Sequence, residues 1–89
     1  MENNHHTTRD FYLSGYFLAS GENLIDYWRK DGITTFIFKR SDKLEKLIKQ
    51  YYEMEATVNP VVYGQSLKNL KSIIYSNANE KYTSTRTNR

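Results

Sequence analysis

The stretch that decides the fold is residues 24–40, LIDYWRKDGITTFIFKR, in which two runs rich in aromatic and β-branched residues flank Asp31-Gly32. Asp-Gly tolerates the positive φ angles that a two-residue type I′ turn requires, so the stretch predicts a β-hairpin. With Asp31-Gly32 as the loop, Lys30 pairs with Ile33 and the register follows from that pair. Two strands alone are marginally stable in water, so helices must cover at least one face of the hairpin.

Side chains alternate between the two faces of a strand, so this register sorts the hairpin residues into two sets. The first set predicts the core face, on which Ile25 lies opposite Phe38: Ile25, Tyr27, Phe36 and Phe38, with Arg29 and Thr34 near the turn. The second set mixes polar with apolar residues, and its apolar members are Leu24, Trp28, Ile33 and Ile37. An apolar patch with a tryptophan near its centre is typical of a protein interface, so these four residues are the predicted protein-binding site. The alternative is that a helix of the same chain covers them.

A first helix is predicted before the hairpin, over residues 11–20, FYLSGYFLAS. Asp10 or Thr8 provides the N-cap, and Gly21 fits the position that ends the helix. The segment is apolar almost all round, which makes it the central helix of a small domain or gives one side of it to a partner. Gly15 inside the helix costs on the order of 1 kcal/mol relative to alanine, so we expect a close approach to a neighbouring element, such as the hairpin.

Two further helices are predicted after the hairpin. One begins at Ser41-Asp42, with Asp42 as its N-cap. The other begins at Asn59-Pro60, because asparagine is favoured at the N-cap and proline at the first helical position, and it runs to about Tyr75. Each carries one apolar stripe at helical spacing: Leu44, Leu47, Ile48 and Tyr51 in the first, and Tyr63, Leu67, Leu70 and Ile74 in the second. The predicted fold class is therefore α+β, a small single domain of order α-β-β-α-α with a central antiparallel hairpin packed by helices.

Composition limits the domain count and the cellular setting. The chain has 89 residues and no cysteine, which excludes disulfides and thiolate-bound zinc and fits a cytosolic protein. One folded domain is predicted over residues 9–76, between a flexible arm at 1–8 and a disordered basic tail at 77–89, since neither end shows apolar periodicity. The sequence has no apolar run of membrane-spanning length and no signal-peptide pattern, so we expect a cytoplasmic protein without a membrane partner.

Basic residues concentrate toward the C-terminal end, where residues 63–89 hold five basic residues against one acidic residue. Such asymmetry points to an anionic partner, although a solvated helix with a soluble tail has the same composition. Aromatic rings placed among basic groups can stack on bases while the cations contact phosphates. The alternative function is therefore nucleic-acid binding, through residues of the hairpin, the third helix and the tail: Arg29, Lys30, Lys39, Arg40, Lys68, Lys71, Tyr75 and Arg86.

The sequence contains no catalytic constellation: it has no nucleophile elbow, no Gly-rich phosphate loop and no metal-ligand motif. His5 and His6 lie in the predicted arm, and two adjacent histidines alone do not supply the three or four ligands that zinc takes. Asp26 stands mid-strand beside Trp28 without a second acid or an imidazole. A charge that discourages aggregation at a sheet edge is the simpler interpretation of it. We therefore predict no catalytic, cofactor-binding or metal-binding residues and no enzymatic activity.

The pattern as a whole resembles a family of small α+β domains from bacteria and their phages, mostly of unknown function. The resemblance covers about residues 8–76, and the matching positions are core, cap and turn residues: 10–13, Phe17, Leu18, Gly21, 36–38, 47–52, Pro60, Leu67, Leu70 and Lys71. It implies a phage or mobile-element setting, in which small domains commonly bind DNA or another protein. Together with the half-apolar hairpin face, this favours a non-enzymatic accessory protein that acts through protein contacts, by self-association or by modulation of a larger partner.

Overall fold

A three-stranded antiparallel sheet and three helices make up the protein in the computed structural model, which describes residues 4–80, with side chains through Ser76. The elements in chain order are β1 (His5–Thr8), α1 (Phe11–Ala19), β2 (Leu24–Lys30), β3 (Ile33–Lys39), α2 (Asp42–Tyr52) and α3 (Pro60–Glu80). The strands are arranged in the order β1-β3-β2, so β3 is central and β2 and β1 form the two edges. The predicted α+β class and the order α-β-β-α-α are confirmed, with one short strand added in front.

The hairpin forms at the predicted turn. Asp31 and Gly32 have φ angles of +54° and +79°, as a type I′ turn requires. From the pair Lys30–Ile33 to the pair Asp26–Ile37, the strands pair in the predicted register. The Asp-Gly signal therefore fixed both the turn type and the register of the adjoining ladder.

A β-bulge at Ile25 corrects the far end of the predicted ladder. Leu24, rather than Ile25, lies opposite Phe38, and the register shifts between Leu24 and Asp26. The extra residue reverses the alternation of faces beyond it. As a result Leu24 packs against the core, whereas Ile25, predicted on the core face, is 48% exposed.

The segment His5–Thr8 forms strand β1, where the sequence analysis predicts a flexible arm. β1 pairs antiparallel with β3, and the Arg40 backbone N–H donates to the Asn4 carbonyl at 2.8 Å beyond the end of the ladder. The prediction is corrected for these residues because the second edge of β3 offers backbone hydrogen bonds to an extended segment. Thr7 and Thr8, which are β-branched, suit that conformation.

Helix α1 begins at the predicted residue and ends at Ala19, one residue earlier than predicted, with Ser20 as its C-cap. The Asp10 carboxylate accepts hydrogen bonds from the backbone N–H groups of Tyr12 and Leu13, both at 3.0 Å, and the chain leaves the helix at Gly21 with φ of +96°. The first turn of the helix therefore has two of its free N–H groups satisfied by one side chain.

Helix α1 is central, because the sheet and both other helices pack against it. Phe17 meets Phe38 of β3 edge to face, with ring centroids 4.8 Å apart, and Tyr16 stacks on Tyr51 of α2. The close approach at Gly15 is to α3 and not to the hairpin: a Cβ built on Gly15 would lie 2.5 Å from Cδ2 of Leu67. Because Gly15 has no side chain, Leu67 of α3 can occupy the space next to α1.

The caps of the last two helices differ slightly from the prediction. Ser41, rather than Asp42, is the N-cap of α2, since its Oγ accepts the Leu44 N–H at 3.0 Å. Asn59 caps α3 as predicted, with its side-chain oxygen accepting two backbone N–H groups of the first turn. Helix α3 continues to Glu80, so residues 77–80 of the predicted tail are helical, and the rest of that tail lies outside the described residues.

The core lies on one side of the sheet, between β3 and the three helices. Its buried apolar residues are Leu13, Tyr16, Phe17, Phe36, Phe38, Leu44, Leu47 and Leu70. Phe36 and Phe38 project from the same face of β3, and Leu24 and Tyr27 of β2 pack beside them. All helices therefore lie on this side, and within residues 4–76 no helix covers the opposite side of the sheet.

Candidate functional site

The uncovered side of the sheet, called the outer face here, carries side chains from all three strands: His5 and Thr7 from β1, Asp26, Trp28 and Lys30 from β2, and Ile33, Thr35, Ile37 and Lys39 from β3. These residues share one side because directly opposite residues of an antiparallel ladder project together. Trp28 is 49% exposed and Ile33 is 47% exposed. The outer face therefore presents an aromatic ring and β-branched side chains to solvent.

Three of the four predicted interface residues come together on the outer face. Trp28 and Ile33 are exposed there, and Ile37 is partly buried on the same side. Leu24 does not join them, because the bulge at Ile25 turns its side chain to the core. The predicted protein-binding site is thus reduced to Trp28, Ile33 and Ile37.

An open depression of about 330 Å³ lies on the outer face near the turn. Its walls include Trp28 and Ile33 together with charged side chains of both signs, Arg9, Lys30 and Asp31. The sequence pattern does not indicate Arg9 as a site residue, because Arg9 follows a strand that the pattern does not predict. The only sequence signal for that strand was the pair Thr7-Thr8, whose β-branched side chains favour an extended chain.

Two of the predicted nucleic-acid residues are engaged within the protein. The Arg29 guanidinium lies on the core side of the sheet and donates to the Thr34 hydroxyl at 2.9 Å. Arg40 forms an ion pair with Glu45 of α2 and also reaches the His5 carbonyl. Both guanidiniums thus help to hold the fold together.

The remaining predicted nucleic-acid residues do not form one surface. Lys30 and Lys39 are exposed on the outer face, near its opposite ends. Lys68, Lys71 and Tyr75 are exposed on α3, which lies on the other side of the sheet. Arg86 lies outside the described residues. A nucleic acid that contacts the exposed lysines of the hairpin therefore need not contact the exposed residues of α3.

The two histidines point to opposite faces of β1, so they cannot ligate one metal ion together. His6 faces the core and meets the ring of Phe17 at 6.1 Å, edge to face. Within residues 4–80, no three His, Asp or Glu side chains lie close enough together to hold a metal ion. None of the helices in that part of the chain combines the length and the apolar character needed to cross a membrane.

Burial lowers the pKa of His6 below 6.5, and the nearby Arg40 lowers it further, while Glu45 opposes the shift. In the unfolded chain His6 has its ordinary pKa and binds a proton more readily, so the folded state loses stability as pH falls below about 6.5. We expect His6→Phe, which keeps a ring against Phe17 but cannot titrate, to lose less unfolding free energy than the wild type between neutral and mildly acidic pH. Urea titrations at several pH values measure this difference. Equal losses of unfolding free energy in the wild type and in His6→Phe would contradict the assignment of this pH dependence to His6.

Two tyrosines near the start of α1 form a second polar cluster. Burial raises the pKa of Tyr51 and of Tyr63, and the Asp10 carboxylate adds to both shifts. The Tyr63 hydroxyl donates to the Tyr12 carbonyl at 3.2 Å. A phenol with a raised pKa stays neutral, so these groups are poor candidates for a catalytic base.

A family model described as a domain of unknown function, DUF5659, matches residues 3–76. The match includes β1, α1, the hairpin, α2 and most of α3; it ends where the predicted resemblance over about residues 8–76 ends and begins earlier. The description does not say whether the family is bacterial or from phages. No curated protein and no solved structure gives a significant match.

Proposed function

This chain belongs to the DUF5659 family, whose description names no activity, so we infer its function from the outer face. We propose that it is a small non-enzymatic protein that binds another protein through Trp28, Ile33 and Ile37. The observation that carries the proposal is the exposure of Trp28, which is 49% on a face that no helix covers within residues 4–76. Tryptophan is enriched among the residues that dominate binding energy, especially near the centre of an interface.

The shape and chemistry of the outer face favour a protein partner over a small molecule. The depression beside Trp28 is partly open to solvent, whereas small-molecule sites enclose most of the ligand. Around the ring lie β-branched side chains, Thr35 and Ile37, with Lys30 and Asp26 at the margin. An apolar centre with a charged margin is the usual arrangement of a protein interface.

The setting that we propose follows from the resemblance to domains of bacteria and their phages. A non-enzymatic accessory protein of a phage or mobile element would act in the cytoplasm of its host. It would work by binding a larger protein and modulating it, or by self-association.

Replacing Trp28 with alanine is expected to weaken partner binding by about 2 kcal/mol or more, the loss typical of a central tryptophan. The unfolding free energy should change by less than about 1 kcal/mol, because Trp28 lies outside the buried core cluster. The partner is first identified by a mass-resolved pull-down from the native host, and binding is then measured by calorimetry with both proteins.

Tyr52→Ala is the matched control, since Tyr52 is an aromatic residue 64% exposed on α2, away from the outer face. It should bind the partner as the wild type does. Unchanged binding by Trp28→Ala would refute the proposal. Unfolding of that variant would instead mean that Trp28 belongs to the core.

Nucleic-acid binding is the second candidate, and one observation favours it. Arg9 and Lys30 line the same depression as Trp28, so an unpaired base stacked on the ring would have two cations near its phosphates. The chain has one tryptophan, so quenching of its fluorescence by an oligonucleotide reports on this site directly. Binding of the oligonucleotide should weaken steeply as the salt concentration is raised. Nuclease treatment should remove from the pull-down any protein that is captured through nucleic acid. Absence of quenching at low salt would exclude this function.

A further inference from the structure

Strand β2 is an edge of the sheet, and the turn determines which of its backbone groups point outward. In a two-residue hairpin the residues that flank the turn, Lys30 and Ile33, exchange hydrogen bonds. By alternation, the N–H and C=O groups of Arg29 and Tyr27 then point away from β3. In agreement, the Tyr27 N–H donates at 2.8 Å to the Asp26 carboxylate instead of to β3.

The order of the charged residues along β2 makes this strand complementary to a second copy of itself that runs antiparallel. Asp26 lies two residues before Trp28 and Lys30 lies two residues after it, and all three side chains share the outer face. If a second β2 runs antiparallel about a two-fold axis at Trp28, Asp26 of each copy lies opposite Lys30 of the other. In the same register Tyr27 of each copy lies opposite Arg29 of the other. Their outward backbone groups can then exchange hydrogen bonds, with the Tyr27 N–H passing from the Asp26 carboxylate to the Arg29 carbonyl of the second copy.

We propose that the β2 edge binds a second copy of this chain in this register, which joins the two sheets into one of six strands. The occupant is a second copy because the pattern of charge and the pattern of outward backbone groups select the same self-pairing. An isologous contact of this kind closes as a dimer. The bulge at Ile25 limits the paired segment to residues 26–30, because the ladder is disrupted there.

The other edge of the sheet does not offer the same contact. Strand β1 is four residues long, HHTT, and has no acidic residue to pair with a basic one. In the β2 dimer the two Trp28 side chains lie next to each other on one enlarged outer face, since directly opposite residues are the closest neighbours across a ladder. The use of this enlarged face for binding a partner rests on the proposed function. Formation of the dimer is tested separately.

Charge-reversal variants of the full chain test the pairing by sedimentation velocity over a range of concentrations. Asp26→Lys places lysines opposite each other at both contacts, and Lys30→Asp places aspartates there. Each variant alone is expected to dimerise about tenfold more weakly than the wild type, because two attractive contacts become repulsive. An equimolar mixture of the two variants restores opposite charges at both contacts, so it should form a heterodimer at least as tight as the wild-type dimer.

Lys39→Asp is the control, since it makes the same charge change as Lys30→Asp on the outer face of the central strand β3, and its dimerisation should equal that of the wild type. Circular dichroism checks that every variant is folded. A wild type that stays monomeric up to about 1 mM overturns the inference. So does a dimer that the reversals do not weaken, or a mixture that forms no heterodimer. Trp28-dependent binding of another protein by a monomeric chain would uphold the proposed function while overturning the inference.

Discussion

Phe17→Ala is expected to reduce the unfolding free energy by about 3–5 kcal/mol, which is a large fraction of the roughly 5–15 kcal/mol typical of a folded domain. Phe17 is fully buried, and its ring contacts Phe38 of β3 and His6 of β1. Removal of the ring therefore leaves a cavity where the central helix meets two strands of the sheet. Urea unfolding followed by circular dichroism measures the loss.

Tyr75→Ala is the control for Phe17→Ala, because Tyr75 is an exposed aromatic residue on α3. Its unfolding free energy should stay within about 0.5 kcal/mol of the wild-type value. If Phe17→Ala lost no more stability than this control, α1 could not be the centre of the core. The packing of the sheet against α1 would then have to be revised.

Gly15→Leu is expected to destabilise the protein by about 3 kcal/mol, although leucine is a far better helix former than glycine. The reason is steric: a Cβ at this position already lies 2.5 Å from Cδ2 of Leu67 and 3.4 Å from Cε1 of Tyr63. The added side chain must displace the Leu67 side chain or push α3 away from α1. Thermal and urea unfolding of the purified variant give the size of the effect.

Gly64→Leu provides the matched control, since Gly64 is also a helical glycine and a Cβ built there meets no atom within 4 Å. Its stability should equal or exceed that of the wild type. Leu67→Ala introduced into Gly15→Leu should recover part of the loss, because it removes the atoms that clash. Failure of both expectations would mean that Gly15 is required for a reason other than the approach of α3.

The sequence was most informative where one residue type has one strong physical reason to occur. Asp31-Gly32 predicted the turn and most of the register because few other residues accept two successive positive φ angles. Asp10 and Asn59 predicted helix starts for a similar reason, since their short side chains reach backbone N–H groups that nothing else in the helix satisfies. Such local signals do not depend on the rest of the fold.

Features that depend on long-range contacts were missed or displaced. Within the segment HHTT only Thr7-Thr8 favours an extended chain, and nothing there predicts the pairing of β1, because its partner β3 lies beyond an intervening helix and strand. The bulge at Ile25 has no turn residue to mark it, so the sequence placed Leu24 in the interface and Ile25 in the core. Gly15 predicted a close approach without identifying α3 as the neighbour, since periodicity describes one helix at a time.

The pairing of β1 with β3 has a consequence for the order in which the protein folds. The hairpin closes across a two-residue loop, whereas β1 can dock only after the chain has closed a loop that contains α1 and β2. β1 also adds no residue to the buried apolar core, so backbone hydrogen bonds provide most of its attachment. We therefore expect β1 to join the sheet last and to leave it first. When it leaves, the central strand becomes an edge whose amides exchange with solvent while the remainder of the domain stays folded.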